Sequence, residues 1–477
     1  MHHEKRLSDV VEGTTSSLLH KPTPSSSTSH KQKREYTEHV ALSKELFLLS
    51  DKTFTQQFSK LYEHRIKTLK PPLLKKISKL YPKATHAKSM LDLSMGVEYT
   101  VVGTLYKEMK LKPNILREFT LDKTASEVAQ IENRNNYVSN DDYLILEDVN
   151  GSRCNVIFEG KQSEKNKIMT NQLVTGIVAG LFGEIDSNGT FIARDIVFND
   201  MAPQNALVSN SKDAYLAVLS GICVGHPKFD AVATQLAFDF ITGLATSGAL
   251  VNNVVAKISR VIIAGNVVIA PEDQGKLFDV RGSLRPKELS SIAEFMRTFD
   301  ILVEQLASNV DVDILPGSND PSNVTIPQQP IHPYMFPKSA SYSTCHLVTN
   351  PHIIRENHVD VVVTSGQTVE DVEKYSVYNS RLDIMENMLK WGHLAPTSPD
   401  TMRCYPFQQV DPFIIKNTPH VFVCGNCSKF ETKLLEFEHA RTRLVCVPEF
   451  VTQPTIVLIN LRTLGCFPVN FSTEHVI

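Results

Sequence analysis

No apolar run in this 477-residue chain reaches the roughly 18 to 20 residues that cross a bilayer. Its first residues, Met1-His2-His3-Glu4-Lys5-Arg6, hold no apolar signal region. A membrane or secreted protein is not expected; a cytosolic or nuclear one is. An excess of either charge is also missing. The chain carries 49 Lys and Arg against 52 Asp and Glu, a net charge of −3, so it lacks the positive field that draws phosphate backbones. Cysteine is scarce and scattered: Cys154, Cys223, Cys345, Cys404, Cys424, Cys427, Cys446 and Cys466 do not form the dense framework of a disulfide scaffold. Reduced core or strand thiols are expected instead. What the chain does have is an ordinary 42% hydrophobic and 21% charged content over a length beyond one compact core, which predicts two domains and a tail.

Residues 1–35 supply the tail. Lys21-Pro22-Thr23-Pro24, Ser25 to Ser29 and Lys31-Gln32-Lys33-Arg34 offer almost nothing apolar to offset the entropy of ordering. The basic end has the composition of a nuclear import signal and equally of a solvated tail. Residues 36–93 read as a helical segment: Phe58, Leu61, Tyr62, Ile66 and Leu69 recur every three or four positions, and Pro71-Pro72 is expected to break the run. Lys60, Arg65, Lys67, Lys70, Lys75, Lys76 and Lys79 make this the most basic ordered stretch. A solvated face is the simpler reading, and contact with DNA or an acidic partner the alternative.

Over 94–203 the period changes to that of strands. Gly96 to Tyr106, Tyr143 to Leu146, Cys154 to Phe158, Leu173 to Gly180 and Phe191 to Phe198 are rich in β-branched and aromatic residues, and Asn150-Gly151 marks a hairpin turn. About five strands in a hundred residues predict a small closed barrel of the OB type. Few aromatics share a strand, so a protein-binding barrel stands beside a single-strand-binding one.

Residues 204–477 alternate apolar runs (Ala214 to Ser220, Arg260 to Ala264, Val310 to Leu315, Val359 to Thr364, His420 to Cys424) with helical stretches, the pattern of an α/β layered domain. One helix is expected to present Phe229, Val232, Leu236 and Phe240, and another Leu289, Ile292, Phe295, Phe299, Leu302 and Leu306. Ligands bind such sheets at the carboxyl ends of the strands. Those ends read Ser220-Gly221-Ile222, Gly265-Asn266-Val267, Pro316-Gly317-Ser318-Asn319-Asp320-Pro321, Ser365-Gly366-Gln367 and Gly425-Asn426-Cys427-Ser428.

These Gly-centred loops resemble those of the calcineurin-like metallophosphoesterases, whose series runs Asp-x-His, Gly-Asp, Gly-Asn-His-Asp/Glu, a single His and Gly-His-x-His. That chemistry clamps a phosphate between two divalent cations about 4 Å apart and generates a hydroxide. Here Ser220-Gly221-Ile222 stands for the first element and Asn266 for the Gly-Asp carboxylate. Ser318 and Asn319 precede Asp320, Ser365 replaces the single His, and Asn426 to Ser428 lack both last histidines. Too little anionic charge remains to draw dications out of water. The expectation is no catalytic, cofactor-binding or metal-binding residue and no enzymatic activity; the alternative is a residual metal-dependent phosphodiesterase or exonuclease.

The resemblance narrows to the small (B) subunits of DNA polymerase delta. Val102-Gly103-Thr104-Leu105-Tyr106 through Leu116 is similar to their barrel signature. Leu315 to Pro321 with Ile326-Pro327-Gln328-Gln329-Pro330 is a second match, and Arg381 to Glu386, Trp391 and His393 to Tyr405-Pro406 a third. The likeness spans Phe58 to Phe450 and implies an α+β/α/β chain: N-terminal helical segment, OB-fold barrel, and inactive calcineurin-like phosphoesterase β-sandwich flanked by helices. It further implies a non-catalytic nuclear scaffold for replication and repair within a hetero-oligomer. That scaffold would hold the C-terminal metal-binding region of the catalytic subunit and a third regulatory subunit, reach sliding clamp and primer-template DNA indirectly, and be shared with polymerase zeta in translesion synthesis. No membrane contact and no cofactor are implied.

Four other signals have simpler readings. Cys424-Gly425-Asn426-Cys427 has zinc-ligand spacing but no second pair, only Cys404 and Cys446 singly. His332, His346, His352, His358 and His393 are unpaired along the sequence and are expected to be solvated or structurally satisfied; for His393 a packing role near the old cleft is expected. Leu382, Met385, Met388, Leu389 and Trp391 predict a core-facing helix rather than a Met-rich partner groove. Neither Gly265-Asn266 nor Gly317-Ser318 has the spacing of a nucleotide-binding loop.

Overall fold

The computed structural model describes residues 34, 36–50, 53–113, 134–158, 169–208, 212–245, 253–269, 286–437 and 440–471. The expected tail, Arg34 apart, and residues 114–116 of the barrel signature lie outside them. The chain divides into two compact units, one comprising the described parts of Met1–Asp51, Gln204–Gln367 and Pro419–Ile477, the other Lys52–Pro203 and Thr368–Thr418.

The second unit is built around a barrel. Strands Tyr99–Glu108, Tyr143–Glu147, Arg153–Phe158, Phe191–Val197 and Val178–Ile185 neighbour one another in that order, and Tyr99–Glu108 also pairs with Val178–Ile185 to close the ring. All neighbours are antiparallel except Arg153–Phe158 with Phe191–Val197. Inward residues such as Val101, Leu105, Leu144, Leu146, Val156 and Phe191 are buried, as alternation across a pleat requires. The strand expected from Leu173 begins only at Val178. Gly176, at φ +94° with Pro396 O only 2.1 Å from where a Cβ would stand, turns the chain first.

Helix Ser59–Leu80 lies on this barrel and runs unbroken through Pro71 and Pro72, correcting the expected break. A proline in a helix interior costs about 3 kcal/mol. Here Ile66, Leu69, Leu73 and Ile77 on both sides of the pair are buried with Val102, Val178, Val197 and Ile414, and burying four such side chains is worth about 6 kcal/mol or more. Gly180 permits the close approach, since a Cβ there would sit 2.9 Å from Ile77 Cδ1. Phe58, expected on the buried stripe, is instead 42% exposed at the helix start.

Residues 368–418 group with this barrel rather than with the 204–477 sheet domain to which the sequence pattern assigned them. Helix Arg381–Trp391 buries Leu382, Met385, Met388, Leu389 and Trp391, Ile414 enters the barrel core, and Thr418 N donates to Pro203 O at 3.0 Å. Contacts so distant along the chain leave no mark in local periodicity.

The first unit is a sandwich of two six-stranded mixed sheets. One runs His39–Ala41, His352–Glu356, Val359–Thr364, Val421–Cys427, Ala440–Pro448, Glu431–Phe437; the other runs Cys345–Leu347, Asp311–Leu315, Ile258–Ala264, Tyr215–Leu219, Thr455–Asn460, Cys466–Asn470. Leu216, Val218, Ile262 and Leu315 meet Val361, Val363, Val423 and Val445 in the core. The alternate residues Ala217, Leu219, Val261, Ile263, Val312 and Ile314 pack into a second cluster with helices Ala231–Thr242 and Pro286–Ala307. The second sheet is covered on both faces, which explains its continuous apolar runs.

Asp230 caps the first helix, accepting from Val232 N at 2.8 Å and Ala233 N at 2.9 Å. That phase buries Ala233, Ala237, Phe238, Phe240 and Ile241, with Phe229 and Leu236 packed against the same core, and turns Val232 outward, a correction to the expected stripe at that one position. In the second helix Met296, Phe299, Val303 and Leu306 are buried; the side chain of Leu289 lies outside the described set. Residues 36–50 are not wholly helical: His39–Ala41 is an edge strand antiparallel to Ile354–Glu356, a helix spans Ser43–Phe47, and Arg34 donates to Ile258 O at 2.7 Å and Ile241 O at 2.8 Å.

Candidate functional site

Strands Tyr215–Leu219, Ile258–Ala264 and Asp311–Leu315 are parallel, as are Val359–Thr364 and Val421–Cys427. The following loops interlock. Gly221 N donates to Gly265 O at 2.9 Å and Cys223 N to Asn266 O at 2.9 Å. Asn426 Nδ2 donates to Ala264 O at 3.1 Å and Ser365 O at 2.7 Å, and Asn426 N donates to Ser220 Oγ at 2.9 Å. All five segments singled out in the sequence therefore form one mouth at the end of the sandwich.

Asp320 is its buried carboxylate. Oδ1 accepts from Val267 N at 2.8 Å and Val268 N at 3.1 Å, and Oδ2 from Gly317 N at 2.7 Å. Burial pushes its pKa up to about 6, against the lowering effect of those backbone donors. The carboxylate ties the Pro316–Pro321 loop to the Asn266 loop. Asn266, at φ +48°, accepts on Oδ1 from Asn319 N at 3.2 Å and Ser318 Oγ at 3.3 Å.

A second layer consists of neutral groups. Asn350 Nδ2 shares its two hydrogens among Gln328 Oε1 at 2.8 Å, Ser365 Oγ at 2.6 Å and Gln367 Oε1 at 2.6 Å, while Gln367 Nε2 donates to Gln328 Oε1 at 2.8 Å. Gln328 Nε2 in turn donates to Gly317 O at 3.0 Å. Amides and hydroxyls satisfy one another there, in a network that carries no formal charge. Nothing in the sequence pairs Asn350 with Gln328. The Ile326–Pro330 motif points to Gln328, but Asn350 meets it only through strand geometry.

Cys424 and Cys427 are buried with sulfurs 3.7 Å apart, and none of the eight cysteines is in a disulfide. Among the described residues no group of three or more His, Cys, Asp or Glu is placed to hold a metal ion. Of the scattered histidines, His352 and His393 are buried and hydrogen-bonded, and His346 Nε2 lies 3.2 Å from Asp311 Oδ1. His358 lies 3.6 Å from a Glu38 oxygen, and His332 Nδ1 accepts from Tyr334 N at 3.2 Å. His393 belongs to the barrel unit, not to the mouth.

Sequence reading missed a buried charge cluster in the first unit. Arg260 donates to Asp313 Oδ1 at 2.7 Å and Glu356 Oε2 at 3.1 Å. His352 bridges Asp313 Oδ2 at 3.2 Å and Ser43 Oγ at 2.6 Å. Burial alone would raise the Asp313 carboxyl, but the His352 hydrogen bond and the Arg260 charge bring it down to about 2. The order Ser43, His352, Asp313 has the form of a nucleophile relay. Ser43 is only 3% exposed, however, and Asp313 is bound to Arg260, so the cluster pins the strand and helix of residues 39–47 to the sheet.

Two family models match the chain. Residues 57–196 match the one described as the DNA polymerase delta subunit OB-fold domain, so the closed barrel is an OB-fold. Residues 216–432 match the one describing the B subunits of DNA polymerases alpha and epsilon. Over 92% of its length the chain is 36% identical to the DNA polymerase delta small subunit of Oryza sativa subsp. japonica, covering 99% of that protein. It is 34% identical to the Arabidopsis thaliana small subunit, over 92% of this chain and 97% of that one. Against DNA polymerase delta subunit 2 of Drosophila melanogaster it is 34% identical, over 90% of this chain and 96% of that protein. The chain belongs to the DNA polymerase delta small-subunit family.

Proposed function

We propose that this chain is a non-catalytic accessory subunit of DNA polymerase delta that acts in DNA replication in the nucleus. In this reading it binds the C-terminal region of the catalytic subunit and a third regulatory subunit, and through them serves sliding clamp and primer-template DNA. Roles in repair and a shared use by polymerase zeta belong to the same proposal. Similarity to delta small subunits along nearly the whole chain carries the reading. The composition of the mouth supports the absence of catalysis: the buried Asp320 carboxylate is engaged by three backbone N–H groups, and the network around Asn350 consists of amides and hydroxyls, a poor exchange for the water around a dication. In this view the sandwich is a degenerate phosphoesterase domain. No helix among the described residues is long and apolar enough to cross a membrane.

Co-expression of the full chain with the catalytic subunit tests the assembly. A co-purifying complex at fixed stoichiometry is expected, and separate elution of the two chains would refute the scaffold. Metal analysis with a manganese-dependent phosphodiester assay tests catalysis: stoichiometric metal and turnover abolished by Asp320→Ala would establish a nuclease in its place.

A further inference from the structure

The first unit contains a cavity of about 450 Å³, within the size range of pockets that bury a small ligand or a few side chains. Two edge strands contribute to its walls. His39–Ala41 ends one sheet and Cys345–Leu347 ends the other. Each has only three residues and no neighbouring strand on its outer side among the described residues, leaving backbone groups able to pair with an added chain. The His39 and His346 rings stack between the two edges, centroids 6.5 Å apart.

The lining divides by chemistry. Pro330, Pro333, Leu48 and Leu347 give an apolar wall. The two charged lining residues are Lys44 and Asp313. Asp313 is neutralised by Arg260 and hydrogen-bonded to His352, whereas among the described residues Lys44 is exposed and has no ion-pair partner. The charge left exposed to an occupant is therefore that of Lys44. Apolar side chains surround the opening: Leu48 is 45% exposed and Tyr334, next to Pro333, is 89% exposed. Exposed tyrosine beside an apolar pocket is a feature of protein interfaces.

We propose that this cavity docks an extended segment of a partner subunit. The segment would add to a sheet edge, seat an apolar side chain in the cavity, and place a neighbouring carboxylate on Lys44. The two open edges favour an extended polypeptide over a free small molecule, and the exposed ammonium of Lys44 selects an acidic neighbour for the anchoring residue. The proposal rests on the accessory-subunit reading and specifies one of its contact surfaces.

The test uses the full chain co-expressed with the polymerase catalytic subunit and the third subunit. Ala340→Trp, at an exposed lining position, blocks the cavity, and Lys44→Glu reverses its charge. Each variant is expected to weaken assembly with one subunit by about tenfold or more, with an unchanged melting temperature for the isolated chain. Lys44→Arg should stay within about twofold of wild type. A photo-crosslinking residue in place of Tyr334 is expected to capture a segment of that same subunit containing an apolar residue beside Asp or Glu. Normal assembly of both variants, or crosslinks confined to a second copy of this chain, would overturn the docking site alone. Failure of the wild-type chain to assemble with either subunit would overturn the accessory reading and the docking site with it.

Discussion

Arg65 Nε donates to Asp411 Oδ2 at 2.9 Å, and both side chains are inaccessible to solvent. The rest of the guanidinium serves backbone carbonyls: Nη1 donates to Pro396 O at 2.9 Å and Gly176 O at 3.2 Å, and Nη2 to Ser398 O at 2.8 Å. His393 Nε2 shares Asp411 Oδ2 at 2.9 Å. Within the barrel unit one residue of the Ser59–Leu80 helix thus organises the 396–411 segment. Burial would raise the Asp411 carboxyl, yet His393 and Arg65 hold it well below the usual carboxylate range.

Removing one side of such a pair leaves the other charge buried and unpaired. Arg65→Met is expected to destabilise the chain by about 3 to 5 kcal/mol, read from chemical denaturation followed by tryptophan fluorescence. Trp391 is the protein's single tryptophan and lies in this unit. A loss below about 1 kcal/mol, the scale of an exposed ion pair, would show that the cluster contributes far less than its burial indicates.

At the mouth of the sandwich, Gly265 and Gly317 meet backbone to backbone. A Cβ on Gly317 would lie 2.3 Å from Asn266 N, and one on Gly265, at φ +72°, would lie 2.6 Å from Gly317 Cα. Gly265→Ala and Gly317→Ala should each cost about 1 to 3 kcal/mol through clash and strain. Gly151→Ala is a matched comparison: it shares the positive φ, at +83°, but has nothing within 4 Å of a Cβ, so its melting temperature should fall less.

Asp320 gives the mouth a pH signature. Its folded pKa of about 6 lies above the ordinary aspartate value of 3.8, so between those values the folded state binds more protons than the unfolded one. This group's contribution to stability is therefore fully present below about pH 4 and is lost as pH rises through 6. Denaturation at pH 4.5 and pH 7 should show wild type gaining on acidification relative to Asp320→Asn. A difference between the two proteins that stays constant with pH would contradict that assignment.

Thiol chemistry should follow burial. Burial pushes Cys154 up to about 11 and both Cys223 and Cys404 up to about 12, which keeps them protonated and slow to alkylate. Brief iodoacetamide treatment at pH 8 should modify the half-exposed Cys466 before any of these three, with complete labelling only after denaturation. Site occupancy measured by peptide mass spectrometry checks the order, and early modification of Cys404 would contradict it.

Strand and helix types were legible wherever side-chain period and length agreed. The runs around Tyr215, Ile263 and Ile314 are legible as strands because both faces of their sheet are covered, which makes their apolar pattern continuous. The helix bearing Met385 and Met388 is legible because its stripe is core-facing. In the Ala231–Thr242 helix Phe229, Leu236 and Phe240 were legible, but the outward turn of Val232 was not, because the small buried residues Ala233 and Ala237 contribute little to a hydrophobic stripe.

By itself, the sequence determined the family, the barrel and the identity of the five mouth loops, since each depends on residue types at short, fixed spacing. Tertiary structure alone decided that Asp320 faces backbone N–H groups, that Asn350 meets Gln328, that Arg65 reaches Asp411 across 346 positions, and that 368–418 folds with the barrel. Those outcomes are contacts between chain segments far apart in sequence. Their energies come from burial and from satisfying polar groups in three dimensions, quantities that local periodicity does not encode.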